Sequence, residues 1–258
     1  MNIYGLTDKG LVRQANEDCI GITCLKNGIT IAVVCDGMGG AAGGKIASSI
    51  GEEAFMSSMK AFSEELETAN FDSRKIKKAI KTSIERANEA IIAHAREDLS
   101  LFGMGSTINA AVYCQPKSRL YYANVGDSRI YMIDKKNIKQ LSKDHSYVQM
   151  LVDANHITEE EAQYHPQRNL ITKALGIKDE VEPDIASVKI SSKKDTYFLL
   201  CSDGLHGLIN KETLKSIALL PITIEEKVFA YIRLANEAGG TDNISAILLN
   251  TKETEENK

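Results

Sequence analysis

Apolar residues along this chain follow two rhythms in successive blocks. Short unbroken runs, CIGITCL (19–25) and ITIAVVC (29–35), are joined by Lys26-Asn27-Gly28 and predict a β-hairpin. The spacing then lengthens. Ile46, Ala47, Ile50, Ala54 and Phe55 share one face of a helix expected over about Gly44–Met59. Ile76, Ile80, Ile84, Ala87 and Ile91 predict a longer helix from near Ser73. Strand-like runs return at 106–114, 119–126, 128–134 and 137–142, and again at 184–190 and 196–202. Helices are expected over 211–220 and about 223–238, the second stopped by Gly239-Gly240, before a last strand over 243–250.

Residues 145–175 fit neither rhythm. They are polar, helical only in patches and broken by Pro166, which predicts an inserted flap over a site. The tail TKETEENK (251–258) is expected to be disordered. Hairpins in clusters, then paired helices, then strands again point to an α+β fold rather than a regular β-α series. No repeat and no linker rich in Pro, Gly or Ser divides the chain, so residues 1–250 read as one domain.

Composition narrows the function classes. With 43% hydrophobic and 26% charged residues the chain can bury a substantial core. A net charge of −4 argues against a broad nucleic-acid surface. No run nears the ~18 apolar residues of a membrane span, and MNIYGLTDKG has no hydrophobic signal region. A cytoplasmic location with no nucleic-acid and no membrane partner is the expectation. The five cysteines include no C-x-x-C pair, and all lie in or beside apolar runs. They read as small core hydrophobes, not as zinc ligands or a disulfide framework.

The stretch VVCDGMGGAAGGKI (33–46) admits a sharper question. Gly39, Gly44 and Lys45 fit a nucleotide phosphate loop that follows a strand and opens a helix. The position that should hold Ser or Thr is Ile46, and the α+β order lacks the parallel crossovers such a loop belongs to. An acidic alternative competes with it. Carboxylates stand at the boundaries of several apolar runs: Glu17-Asp18, Asp36, Asp127, Asp203 and Asp242. Each alone is an ordinary turn residue. Together, strand ends that converge on one rim would bring them into a cluster, which requires a cation to offset the repulsion. A donor set made of oxygen alone selects Mg²⁺ or Mn²⁺. Two such ions activate a water and polarise a phosphoryl group.

In order along the chain, R-Q-A-N-E-D (13–18), V-C-D-G-M-G-G (34–40), G-S-T (105–107), V-G-D-S-R (125–129), K-D-H-S (143–146), C-S-D-G-L (201–205) and G-T-D-N-I-S (240–245) resemble the motif series of the metal-dependent protein phosphatases, the PPM or type 2C Ser/Thr phosphatases. The short length resembles the compact bacterial members. The resemblance implies an αββα sandwich of two antiparallel sheets covered by helices, with Mn²⁺ or Mg²⁺ at one end. It implies that Asp36 bridges two metals, that the Gly37 carbonyl binds one, and that Asp203 and Asp242 complete the first. Asp18 and Glu17 would act on the second metal or its waters, and Asp127 on a third, weaker one. Arg13 would bind the substrate phosphate, and Asn243 would stand near the metal water. The implied reaction is hydrolysis of phosphoserine and phosphothreonine by direct attack of a metal-bridging hydroxide, reversing a bacterial Ser/Thr kinase acting on shared phosphoprotein substrates.

One position departs from the family. Animal relatives carry a leaving-group His where this chain has Met38, so the proton must come from a metal water or another side chain. His145 and His156 are the nearest candidates in the chain, each with a structural role as the simpler reading. Two other functions compete: a nucleotide-binding protein using Gly39–Lys45, and a non-catalytic phosphopeptide binder. The second conflicts with the full set of acids.

Overall fold

A computed structural model of the chain describes residues 2–66, 72–191 and 195–252. Its strands form two antiparallel sheets. One runs in the order β1 (Asn2–Asp8), β11 (Ile244–Asn250), β10 (Tyr197–Cys201), β7 (Arg129–Ile133) and β8 (Ile138–Gln140). The other runs β2 (Asp18–Cys24), β3 (Ile29–Met38), β5 (Ile108–Cys114), β6 (Arg119–Val125) and β9 (Asp184–Lys189), with the short β4 (Gly105–Ser106) beside the end of β3.

Alternation of side chains across each strand explains the layers. In β3, Ile31, Val33 and Cys35 pack beneath helices α1 (Gly40–Leu66) and α2 (Ser73–Glu97), whereas Ala32 and Val34 face the opposite sheet. In β11, Ala246 and Leu248 pack against α6 (Lys211–Ala218) and α7 (Ile224–Glu237), while Ile247 and Leu249 face inward. Central strands are thus apolar on both faces, and this is why ITIAVVC is an unbroken run. The result is the expected α+β architecture, helices on two face-to-face antiparallel sheets.

Some elements differ from the reading of the sequence. Strand β1 was not anticipated. On its inward row Gly5 and Thr7 follow Ile3, so apolar alternation is too weak to announce a strand, and it is secured by pairing with β11. Helix α1 begins at Gly40 and runs to Leu66, longer at both ends than its apolar face indicates. Helix α5 (Asp203–His206), a single turn after β10, was also missed. Of the cysteines, Cys35, Cys114 and Cys201 are buried as expected, but Cys19 is partly exposed and Cys24 exposed. Thr251 still donates to the Thr196 carbonyl at 3.1 Å, and residues 253–258 of the expected disordered tail lie outside the described residues.

The 145–175 segment contains two short helices, α3 (Tyr147–Asp153) and α4 (Glu159–Tyr164), the second opened by a Thr158–Glu161 capping box. Its two ends are tied together and to the body by the pairings Ser146↔Ile171 and Ser106↔Leu175.

Candidate active site

The acids at the strand ends come together at one rim of the sandwich. Asp18 and Asp36 are direct partners across β2 and β3. Asp18 is 1% exposed, and its Oδ2 accepts hydrogen bonds from Ser245 Oγ at 2.6 Å and Ser202 Oγ at 2.9 Å, both from the opposite sheet's rim. Its other oxygen, Oδ1, is buried with no partner in the protein. Burial pushes the Asp18 carboxyl up to about 7, against the pull of the two serines.

Asp36 is aimed by its backbone. Its N–H donates to Thr107 Oγ1 at 3.0 Å, and its carbonyl accepts from the Thr107 N–H at 2.8 Å and from Ser106 Oγ at 3.1 Å. Burial holds its carboxyl well above the usual range, and the charges of Asp18, Asp203, Asp127 and Asp242 add to this. Asp203 opens α5. Burial and the neighbouring Asp242 raise its carboxyl to about 6, opposed by a hydrogen bond with Asp36. Ser202 sits at the N-cap of that turn yet makes no capping bond, because its hydroxyl serves Asp18.

Next to Asp36, Gly37 admits no side chain: a Cβ there would collide with the Gly44 carbonyl in α1 and approach the Glu17 carbonyl within 2.7 Å. The glycines therefore let α1 close over the acid rim. Lys45, the residue after Gly44, donates from Nζ to the Asp18 carbonyl at 3.2 Å, and Ile46 packs towards the core under α1. This stretch supports the acids and offers nothing to the nucleotide reading.

Asp242 is turned onto Arg13, with Nη2 at 2.7 Å from Oδ2, while its Oδ1 accepts the Asn243 N–H at 2.8 Å. The Arg13 guanidinium is half exposed, and the hydrogen bond to Asp242 holds its pKa above the usual value. The Asn243 side chain is spent on backbone: Oδ1 accepts the Glu17 N–H at 2.8 Å, and Nδ2 donates to the carbonyls of Lys9 at 2.8 Å and Ala15 at 2.9 Å. It staples the segment that carries Arg13 and Glu17 to the loop that carries Asp242. Glu17 lies against the start of α1, its carboxylate next to Gly44.

Asp127, 8% exposed between β6 and β7, joins the cluster from the side, and burial followed by the Asp203 charge raises its carboxyl to about 8. Its carbonyl accepts from His206 Nε2 at 3.0 Å, which fixes the His206 tautomer, and burial keeps that ring neutral. His206 escaped the sequence reading, although it stands one helical turn after Asp203 in CSDGLH. Arg129 was missed in the same way. Its Nη2 lies 2.6 Å from Asp144 Oδ2, a pair that braces β7 against the root of the 145–175 segment.

Neither candidate His takes part in the acid cluster. His145 Nδ1 accepts the Gly126 N–H at 3.1 Å and Nε2 stands 3.3 Å from Asp184, a structural placement at the root of the segment. His156 is exposed on the turn between α3 and α4.

Among the described residues no three His, Cys, Asp or Glu side chains already stand in one coordination sphere. Uncompensated carboxylates repel, and Asp242 has turned to Arg13 instead. The residues nevertheless fit a hard cation: the donors are all oxygen, several are buried with raised pKa values, and Asp18 Oδ1 is an acceptor without a donor.

Residues 11–248 match the family model described as Protein phosphatase 2C. The Serine/threonine phosphatase stp of Listeria monocytogenes is 35% identical over 243 residues, 94% of this chain and 93% of that protein. The solved serine/threonine phosphatase PstP/Ppp of Mycobacterium tuberculosis superposes with a TM-score of 0.83 at 31% identity, over 98% of this chain and 99% of that one. The PstP catalytic domain solved in complex with 2 manganese ions gives 0.79 at 30% identity, with 96% of each chain covered. The chain therefore belongs to the protein phosphatase 2C family. It is an enzyme, a metal-dependent protein phosphatase.

Proposed function

We propose that this phosphatase hydrolyses phosphoserine and phosphothreonine in proteins in one step, without a phosphorylated enzyme intermediate, and reverses a bacterial Ser/Thr kinase in the cytoplasm. Asp36, the Gly37 carbonyl, Asp203 and Asp242 would hold one Mn²⁺ or Mg²⁺, with Asp36 shared by a second that Asp18 and Glu17 bind directly or through waters. Asp127 would contribute to a third, weaker site. When bound, the cations supply an activated water and offset charge on the phosphoryl group.

The chain's own residues do the rest. Asp36 and Asp203, which share a hydrogen bond, would hold the cations beside the phosphoryl group while water adds to phosphorus and the bond to the Ser or Thr oxygen breaks. The products are inorganic phosphate and the free hydroxyl, with the leaving oxygen gaining a proton. Arg13 is half exposed and carries a planar fork suited to phosphate oxygens once Asp242 is otherwise neutralised. Asn243 is a positioning residue for the Arg13–Glu17 segment. Residues 1–250 act as one phosphatase domain, with 145–175 as a flap that selects among phosphoproteins.

The observation that carries this reading is the cross-strand pair of buried Asp18 and partly buried Asp36 facing Asp203, with an Asp18 carboxylate oxygen left without a donor. Purified protein is expected to hydrolyse p-nitrophenyl phosphate and phosphoserine or phosphothreonine peptides only with added Mn²⁺ or Mg²⁺. EDTA should abolish turnover. Asp36→Asn should lower it by about three or more orders of magnitude with the fold intact by circular dichroism, since it weakens nucleophile and charge stabilisation together. Full turnover after rigorous chelation would defeat the two-cation reading.

A further inference from the structure

The cross-strand pairing that unites Asp18 and Asp36 also makes the next residues partners: Cys19 lies opposite Cys35. Neighbouring positions on a strand point to opposite faces. The two carboxylates face the sheet interface, where Ser202 and Ser245 hold Asp18, and the two thiols face α1, where Cys35 is buried and Cys19 packs at its margin. Among the described strand pairs no other cysteine has a cysteine partner: Cys24 faces Thr30, Cys114 faces Ile29 and Arg119, and Cys201 faces Ala246 and Arg129. Cys19 is partly exposed, and the exposed Lys45 places Nζ 3.3 Å from its sulfur.

We propose that Cys19 and Cys35 form a reversible disulfide that lowers phosphatase turnover when a hydroperoxide is present. Cys19 is the thiol within reach of solvent and reacts first: its sulfur takes one oxygen from the peroxide to give a sulfenic acid, and water or an alcohol leaves. The Cys35 thiol then displaces water from that sulfur and the S–S bond closes. Overall the two thiols lose two electrons and two protons, and the peroxide is reduced.

The strand register brings the two cysteines within the span that a disulfide bridges, at the cost of a local adjustment. Opposed residues in an antiparallel pair have Cα atoms about 4.5–5.5 Å apart, inside the roughly 4.4–6.8 Å range of disulfides. Closure draws the two Cβ atoms to about 3.8 Å, tighter than the usual 4.5–5.5 Å or so of such a pair. The strands must therefore twist at the residue next to Asp18 and Asp36. Displacing an acid that holds or orients a cation costs roughly 10–100-fold in affinity or activity.

The effect on turnover rests on the roles proposed for Asp18 and Asp36, whereas the bond itself does not. Whole protein treated with hydrogen peroxide and digested without reductant should yield one cross-linked peptide pair, containing Cys19 and Cys35. Turnover of p-nitrophenyl phosphate with Mn²⁺ should fall roughly 10-fold or more and return with dithiothreitol. Cys19→Ser, outside the acid cluster, should keep basal turnover and lose the reversible inhibition. Absence of the Cys19–Cys35 peptide from oxidised wild-type protein overturns the proposal, as does equal reversible inhibition of Cys19→Ser. A cross-linked protein that turns over at the unmodified rate overturns the regulatory role and leaves the metal-dependent activity standing.

Discussion

Asp18 shows how the site is built from groups far apart in the chain. Its Oδ2 is held by Ser202 and Ser245, which lie 184 and 227 residues away. The acids were legible in the sequence because each stands at the boundary of an apolar run within a recognisable motif. The serines stand beside Asp203 and Asp242 in those motifs, but nothing local says that their hydroxyls serve Asp18 rather than cap a helix or a turn. Only the packing of one sheet on the other decides that. Asn243 shows the converse: its residue type and place suggest a role at the reacting water, yet three bonds commit its amide to the backbone of Glu17, Lys9 and Ala15. Ser245→Ala removes the shorter bond to Asp18 and frees its carboxylate to rotate. The Mn²⁺ concentration for half-maximal turnover should rise roughly 10–100-fold, with turnover at saturating Mn²⁺ little changed. A Mn²⁺ titration of p-nitrophenyl phosphate hydrolysis measures this, and an unchanged midpoint would make the hydroxyl a packing group only.

At the scale of elements, the central strands and long helices were legible because burial on both sheet faces, or on one helix face, writes a strong apolar pattern. Strand β1 was not, since an edge strand with Gly5 and Thr7 on its inward row leaves little pattern and forms because β11 offers it a partner. The 145–175 segment was recognisable by contrast. Its polarity and Pro166 exclude it from the core, and its helices α3 and α4 carry no buried residue. Exposed Met150, Tyr164 and Leu170 give it apolar points of contact at 56%, 83% and 50% exposure. Both ends are pinned near the acid rim, one next to Asp144 and the other to Ser106. Loops held over a rigid scaffold are the usual carriers of binding residues, and the selection of phosphoproteins proposed for this segment follows from that placement. Replacing residues 155–161 with a short Gly-Ser link should therefore reduce kcat/KM on phosphoproteins and long phosphopeptides roughly tenfold and leave p-nitrophenyl phosphate nearly untouched. Equal loss on both substrates, or on neither, would remove the segment from substrate selection.

At the scale of the whole molecule, the acid cluster makes stability depend on pH and on cations together. Burial raises Asp18 to about 7 and Asp127 to about 8, and holds Asp36 well above the usual carboxylate range. In the unfolded chain these groups titrate near 3.9 or so. Each binds its proton more tightly when folded, so the stability it contributes is complete at low pH and is lost as pH rises through the folded value. His206 and His145 have lowered values and act oppositely, but their unfolded rings titrate near 6.5 or so, above which their contribution is constant. The buried thiols Cys35 and Cys201, raised by burial, begin to matter only as free cysteine ionises, near 8.5 or so. Between roughly pH 6.5 and 8 the carboxylates therefore set the slope, and the metal-free protein should lose melting temperature as pH rises. A divalent cation binds the ionised form and reverses this, adding about 4 kcal/mol at a thousandfold excess over its Kd. Calorimetry of chelated and Mn²⁺-loaded protein across this window should show a gap in Tm that widens with pH. A metal-free Tm that climbs over the same window would mean that the carboxylates are not held protonated by burial, and the cluster would lose its claim to be a site kept waiting for cations.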